Sequence, residues 1–78
     1  MQETILTLIR MERGIQNNKW GVQDHSNERW LTILAEEFGE VAKALLESDD
    51  GLANELLQTA AVCVAWLESL ERQHGTRS

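Results

Sequence analysis

Three carboxylates and a glycine stand in the middle of a run that otherwise reads as a helix: within "LTILAEEFGEVAKALLE", Glu36, Glu37 and Glu40 surround Gly39. At roughly 100° per helical residue, Glu37 and Glu40 share a ridge with Ile33 and Ala44 at the border of the apolar face. Glu36 and Glu47 turn towards solvent. Like charges three residues apart repel by roughly 0.2–0.5 kcal/mol, and partial burial raises that cost. Gly39 adds up to about 1 kcal/mol relative to alanine, so its spacing predicts a close approach by a neighbouring backbone or a ligand. A further acid, Glu55, opens the later run "NELLQTAAV". Three such carboxylates offer oxygen ligands of the kind that suit Mg²⁺ or Mn²⁺, and a divalent cation would relieve their repulsion. The plain alternatives are a solvated acidic face for Glu36–Glu40 and first-turn dipole compensation for Glu55. Lys43 has two readings, an ion pair with Glu47 or a phosphate contact.

The elements that position these groups are helices. There is no proline in 78 residues, only five glycines, and few clustered β-branched residues, so the class is all-α in a single domain spanning 1–78. A first helix is predicted from Thr4 to about Asn17, with Gly14 and the Asn17–Asn18 pair fraying its end. "NNKWGVQDHSNER" then reads as a loop. Ser26 or Asn27 caps a second helix to about Glu47, "SDDG" breaks it, and a third helix runs from about Leu52 to Gln73. The tail "HGTRS" is expected to fray. On the second helix, Leu31, Leu34, Phe38, Val41 and Leu45 form the predicted core face.

The third helix carries "AAVCVAWL", apolar at every position from 60 to 67. A helix apolar all round must be buried all round, and two short helices cannot cover it. The run is too short for a membrane span, so the expected cover is another copy of the chain, in a homodimer or homotetramer. Cys63 is the sole cysteine, which rules out an internal disulfide and suits a cytoplasmic location. It has no evident activating partner, and Trp66 reads as packing. The formal net charge of −6 argues against nucleic acid duplexes and anionic membranes as partners, but not against a nucleotide delivered with a divalent cation.

"EEFGE" followed after fourteen residues by "ELLQ" resembles the EExxE and ExxD metal motif of the MazG-like all-α nucleoside triphosphate pyrophosphohydrolases. The likeness covers about Lys19 to Leu67. It implies an oligomeric helical bundle that uses Mg²⁺ to hydrolyse a nucleoside triphosphate between the α and β phosphates, releasing the monophosphate and pyrophosphate. By that resemblance Glu37, Glu40 and Glu55 correspond to metal ligands and Glu36 to the motif's leading acid; lying one turn from Glu40 but off the ligand ridge, Glu36 is the candidate for orienting the attacking water. "KWGVQDHSNERWL" is similar to the segment preceding the acidic helix in the dCTP pyrophosphatase branch. Trp20, Gln23 and His25 are then candidate base or sugar contacts and Trp30 a pocket wall, against ordinary readings as packing or capping residues. One position departs from the pattern. Gln58 stands where ExxD ends in aspartate, and a neutral amide is a weaker ligand for a hard cation. The rival expectation is therefore a MazG-like nucleotide-binding or helical assembly protein with weakened turnover. A fourth helix, if required, must come from a partner.

Overall fold

The computed structural model describes residues 1–48 and 50–74, so positions 75–78 of the expected frayed tail, and Asp49 of the turn, lie outside the described residues. Three helices follow in order: α1 (Gln2–Trp20), α2 (Asn27–Leu46) and α3 (Leu52–Gln73). Among the described residues no helix is long and apolar enough to cross a membrane.

The start of α2 and both ends of α3 fall where cap and breaker residues put them. Ser26 precedes α2 in an extended conformation, and its hydroxyl accepts the Arg29 backbone N–H at 3.1 Å, which satisfies one of the orphan donors of the first turn. The first helix is longer than expected. Gly14 and the asparagine pair do not fray it, because Arg13 and Gln16 are buried and tertiary packing outweighs a local propensity cost of about 1 kcal/mol. It ends at Gly21, whose φ of +75° takes the chain into the left-handed region while its N–H reaches the Asn17 carbonyl at 2.8 Å. Glycine bears that conformation without a Cβ penalty. Lys19 and Trp20 thus belong to α1, and the loop shortens to residues 21–26.

Helix α3 is central: α1 and α2 each pack on it and not on each other. Small residues at helical spacing, Ala61, Ala65 and Ser69, are buried along α3 and let both neighbours come close. Trp30, Val62 and Ala65 form the core, with Ile33, Leu34 and Trp66 packed against them. Trp66 also donates its indole N–H to Asn27 Oδ1 at 3.0 Å, joining the start of α2 to the far half of α3 and making the two antiparallel.

The predicted core face of α2 is corrected in part. Leu34 and Val41 are half-buried, and Leu34 packs against the core, but Leu31, Phe38 and Leu45 are 58, 68 and 61 % exposed, whereas Trp30, Ile33, Glu37 and Ala44 turn inward. The apolar arc of α2 is wide enough for two stripes, and the chain's own core takes the one beside the acids. Nor is "AAVCVAWL" covered all round within the chain, since Cys63 and Leu67 are exposed. A Cβ placed on Gly39 would meet no other part of the fold within 4 Å among the described residues, so none of them makes the close approach its position predicts.

Candidate functional site

Because α1 and α2 pack on α3 and not on each other, a cleft of about 130 Å³ opens between them with α3 as its floor. Four segments reach it: Trp20 from α1, Gln23 from the loop, Trp30, Ile33 and Glu37 from α2, and Gln58 and Val62 from α3. Arg13, Gln16 and Asn17 complete the α1 wall. These three were not legible as site residues. Their one sequence signal is a polar row at i, i+3 and i+4 on a helix whose other positions, Ile5, Leu8 and Ile15, are apolar at similar spacing.

The α1 wall is held by hydrogen bonds. Arg13 donates to Glu68 Oε1 on α3, to Gln16 Oε1 at 2.9 Å and to Asn17 Oδ1 at 3.1 Å. Gln16 Nε2 in turn donates to Gln58 Oε1 at 3.4 Å and to Glu12 Oε2 at 3.5 Å. Gln58 is therefore a cleft residue and a partner of α1 at once.

Glu37 is the half-buried acid of the site. Its pKa is raised, first by loss of solvent and then by the negative charges of Glu55, Glu40, Glu36 and Glu12. The acidic helix, the opening of α3 and α1 thus put their carboxylates within electrostatic reach of one side chain. All these donors are oxygens, the chemistry a hard divalent cation takes. Among the described residues, no three His, Cys, Asp or Glu side chains stand together as a finished set of metal ligands. The fit to Mg²⁺ is one of donor type and mutual repulsion, with Glu37, Glu40 and Glu55 as the groups that would hold it. Glu36 and Glu40 are exposed beside Glu37, and Glu55 is half-buried.

The aromatic residues divide. Trp30 is 4 % exposed, and its indole Nε1 is buried with no hydrogen-bond partner among the described residues, an uncommon state for a donor in the wall of a cleft. Trp20 is exposed at the cleft's edge, with the Lys19 ammonium 4.9 Å from its ring centroid. His25 packs edge-on to Trp30, centroids 4.8 Å apart, and pairs through Nε2 with Gln23 Oε1 at 3.0 Å. His25 and Lys43 do not line the cleft. Lys43 is exposed and takes no part in the two ion pairs found among the described residues, Arg13–Glu68 and Arg72–Asp24. The loop itself is pinned by Arg72, which donates to Asp24 Oδ1 at 2.9 Å and to the Gln23 carbonyl at 3.0 Å.

Set beside protein-family models, curated proteins and solved structures, the chain matches none of them.

Proposed function

We propose that the protein is a Mg²⁺-dependent nucleoside triphosphate pyrophosphohydrolase. One observation carries the reading. Glu37, which the resemblance to the MazG-like motif makes a metal ligand, lines the same cleft as Trp20, Gln23 and Trp30, residues from separate segments matched to the nucleotide pocket, and as Gln58, at the position of the motif's aspartate. In this reading the cleft receives the base, with an indole face available for stacking, worth roughly 1 to 3 kcal/mol. The amides of Gln23 and Gln58 present donors and acceptors to its edge. The triphosphate then extends towards Glu37, Glu40 and Glu55. Mg²⁺ or Mn²⁺ held there by Glu37, Glu40 and Glu55 would supply neutralisation of the phosphate charge and activation of water. Glu36, exposed one turn from Glu40, orients the attacking water and accepts its proton.

A second reading has its own observation. The Gln58 amide oxygen already accepts from Gln16 on α1, which favours a nucleotide-binding protein whose turnover is weakened. A panel of nucleoside triphosphates incubated with Mg²⁺ or Mn²⁺, with pyrophosphate and monophosphate quantified and nucleotide binding measured in parallel, separates the two. Release of both products that is abolished by Glu37→Gln supports the enzyme. Metal-dependent binding without products supports the second reading, and neither binding nor products rejects both.

A further inference from the structure

Both side-chain amides in the α1 wall of the cleft are tied to Arg13, and the tie fixes which end of each amide is left over. A guanidinium carries N–H donors and no acceptor. The amide atoms that meet it are therefore oxygens: Gln16 Oε1, 2.9 Å from Nη1, and Asn17 Oδ1, 3.1 Å from Nη2. The other end of Gln16 lies 3.5 Å from Glu12 Oε2, and a carboxylate only accepts. Gln16 is thus oriented twice over, by a cation at one end and an anion at the other. Its NH2 group is the donor that meets Gln58 on α3 at 3.4 Å, so the Gln58 atom facing it is the oxygen.

What remains is a pair of donors. Asn17 Nδ2 and Gln58 Nε2 have no hydrogen-bond partner among the described residues, and both residues line the cleft. To turn its oxygen outward, Asn17 would have to set an N–H against the buried guanidinium, and Gln58 would have to set its NH2 against that of Gln16. On the α2 side, Trp30 adds a group that can only donate, its buried and unpartnered indole Nε1. Gln23 is the exception. Its amide meets His25 Nε2, a ring nitrogen that donates or accepts according to tautomer, so this side chain can present either end.

We infer that Arg13 is a positioning residue that locks Asn17 and Gln58 into a donor pattern, and that this pattern selects a 2,4-dicarbonyl pyrimidine, uracil or thymine, over cytosine. The inference rests on the nucleotide reading above. At ring position 4 a dicarbonyl pyrimidine offers an acceptor oxygen, where cytosine offers an amino donor. Arg13 and Gln16 stand between Asn17 and Gln58, so the two donors serve separated acceptors, which in a dicarbonyl ring are O2 and O4 on either side of N3. Cytosine would set its amino group against one of them. A site built to hydrogen-bond one group discriminates strongly against an analogue that leaves its polar atoms unpaired. The ring N3–H goes to Gln23, which offers its oxygen once its NH2 donates to His25.

Equilibrium binding of the α,β-imido analogues of dUTP, dTTP and dCTP to the full chain with Mg²⁺ tests it, since these analogues resist cleavage between the α and β phosphates. The better-bound of the two dicarbonyl analogues identifies the base and is expected to bind roughly tenfold more tightly than the cytosine analogue. Arg13→Met frees the amides and should bring that ratio to roughly one. Gln16→Glu keeps an acceptor towards Arg13 but has no N–H for Gln58, which then turns its NH2 to the new carboxylate and its oxygen to the cleft. The ratio should invert in favour of cytosine. A merely structural role for these residues would lower all three affinities together and leave the ratio unmoved. If Gln16→Glu does not fold, Asn17→Asp, at an exposed position, replaces a donor by an acceptor and should shift the ratio the same way. Equal or tighter binding of the cytosine analogue by the wild type, or a ratio unchanged in Arg13→Met or in the acceptor variant, overturns the inference and leaves the nucleotide reading standing. No binding of any analogue overturns both.

Discussion

The Arg13 guanidinium on α1 grips the Glu68 carboxylate on α3 through two bonds, Nη2 at 2.6 Å and Nε at 3.1 Å, across 55 positions of sequence. The two ends of this pair are not equally buried: the Arg13 side chain is 11 % exposed and that of Glu68 43 %. Removing the carboxylate strands a buried cation. Removing the cation leaves a carboxylate that water can reach. Glu68→Ala is therefore expected to cost about 1–3 kcal/mol, and Arg13→Met, which keeps the apolar stem, about 1 kcal/mol or less. Urea unfolding of both variants gives the order, and an inverted order would contradict the burial argument.

Glu37 makes stability depend on pH and on cations. Its folded pKa is raised by burial and by Glu55 and the other acids nearby. Below the ordinary carboxyl range the group is protonated in both states and has no effect. As pH rises from the unfolded pKa to the folded one, the unfolded chain ionises first, so stability is lost, and the penalty is complete above the folded value. Glu37→Gln should raise the melting temperature at neutral pH and leave it unchanged in strong acid. Added Mg²⁺ should stabilise the wild type but not this variant. Thermal melts at the two pH values, with and without Mg²⁺, check both outcomes.

Gln58→Asp adds a charge to a half-buried position facing Gln16 and near Glu37. Without divalent cation the variant should melt lower than wild type. If Glu55 and position 58 serve one metal site, Mg²⁺ should recover that loss and bind more tightly than to wild type. Calorimetric titration of Mg²⁺ into both proteins reads this, and a lower melting temperature with no gain in metal affinity would remove position 58 from the site.

The Asp24–Arg72 pair holds the loop that presents Gln23. Arg72, followed by Ser69, keeps the Asp24 carboxyl below its usual range. Its contribution is thus present at neutral pH and disappears only as pH falls through that lowered value. Arg72→Ala is expected to raise the Kd for nucleotide several-fold and leave the Mg²⁺-induced shift in melting temperature unchanged. Equal nucleotide affinity would show that the loop needs no such anchor.

Ser48 occupies the turn between α2 and α3 with φ of +51°, a left-handed conformation that costs a residue with a Cβ about 1–2 kcal/mol. Ser48→Gly should stabilise the chain by up to about 1 kcal/mol, the remainder being lost to glycine's greater freedom when unfolded. Chemical denaturation measures the difference.

Local chemistry was the legible part of this fold. The Ser26 cap and the break after Leu46 are written in residue type, and both appear where sequence places them. The end of α1 was not legible, because what carries the helix past Gly14 is the docking of Arg13 and Gln16 on a segment more than 40 residues away. Periodicity also identified α2 as amphipathic without telling which of its two apolar stripes faces its own chain. The cleft was half legible: Trp20, Gln23, Trp30, Glu37 and Gln58 line it, while Arg13, Gln16 and Asn17 carry no local mark of a binding role.

The absence of any packing between α1 and α2 has a kinetic consequence. The α2–α3 hairpin joins neighbours in sequence through a short turn, so it can close first at low entropic cost, whereas α1 must reach α3 across the whole of α2, through bonds 42 and 55 positions apart. Native-state hydrogen exchange should then find two cooperative units, with α1 amides opening at a lower free energy than those of α3. Since one wall of the cleft is α1, the cleft exists only while α1 is docked, and anything bound in it should slow exchange along α1 more than anywhere else.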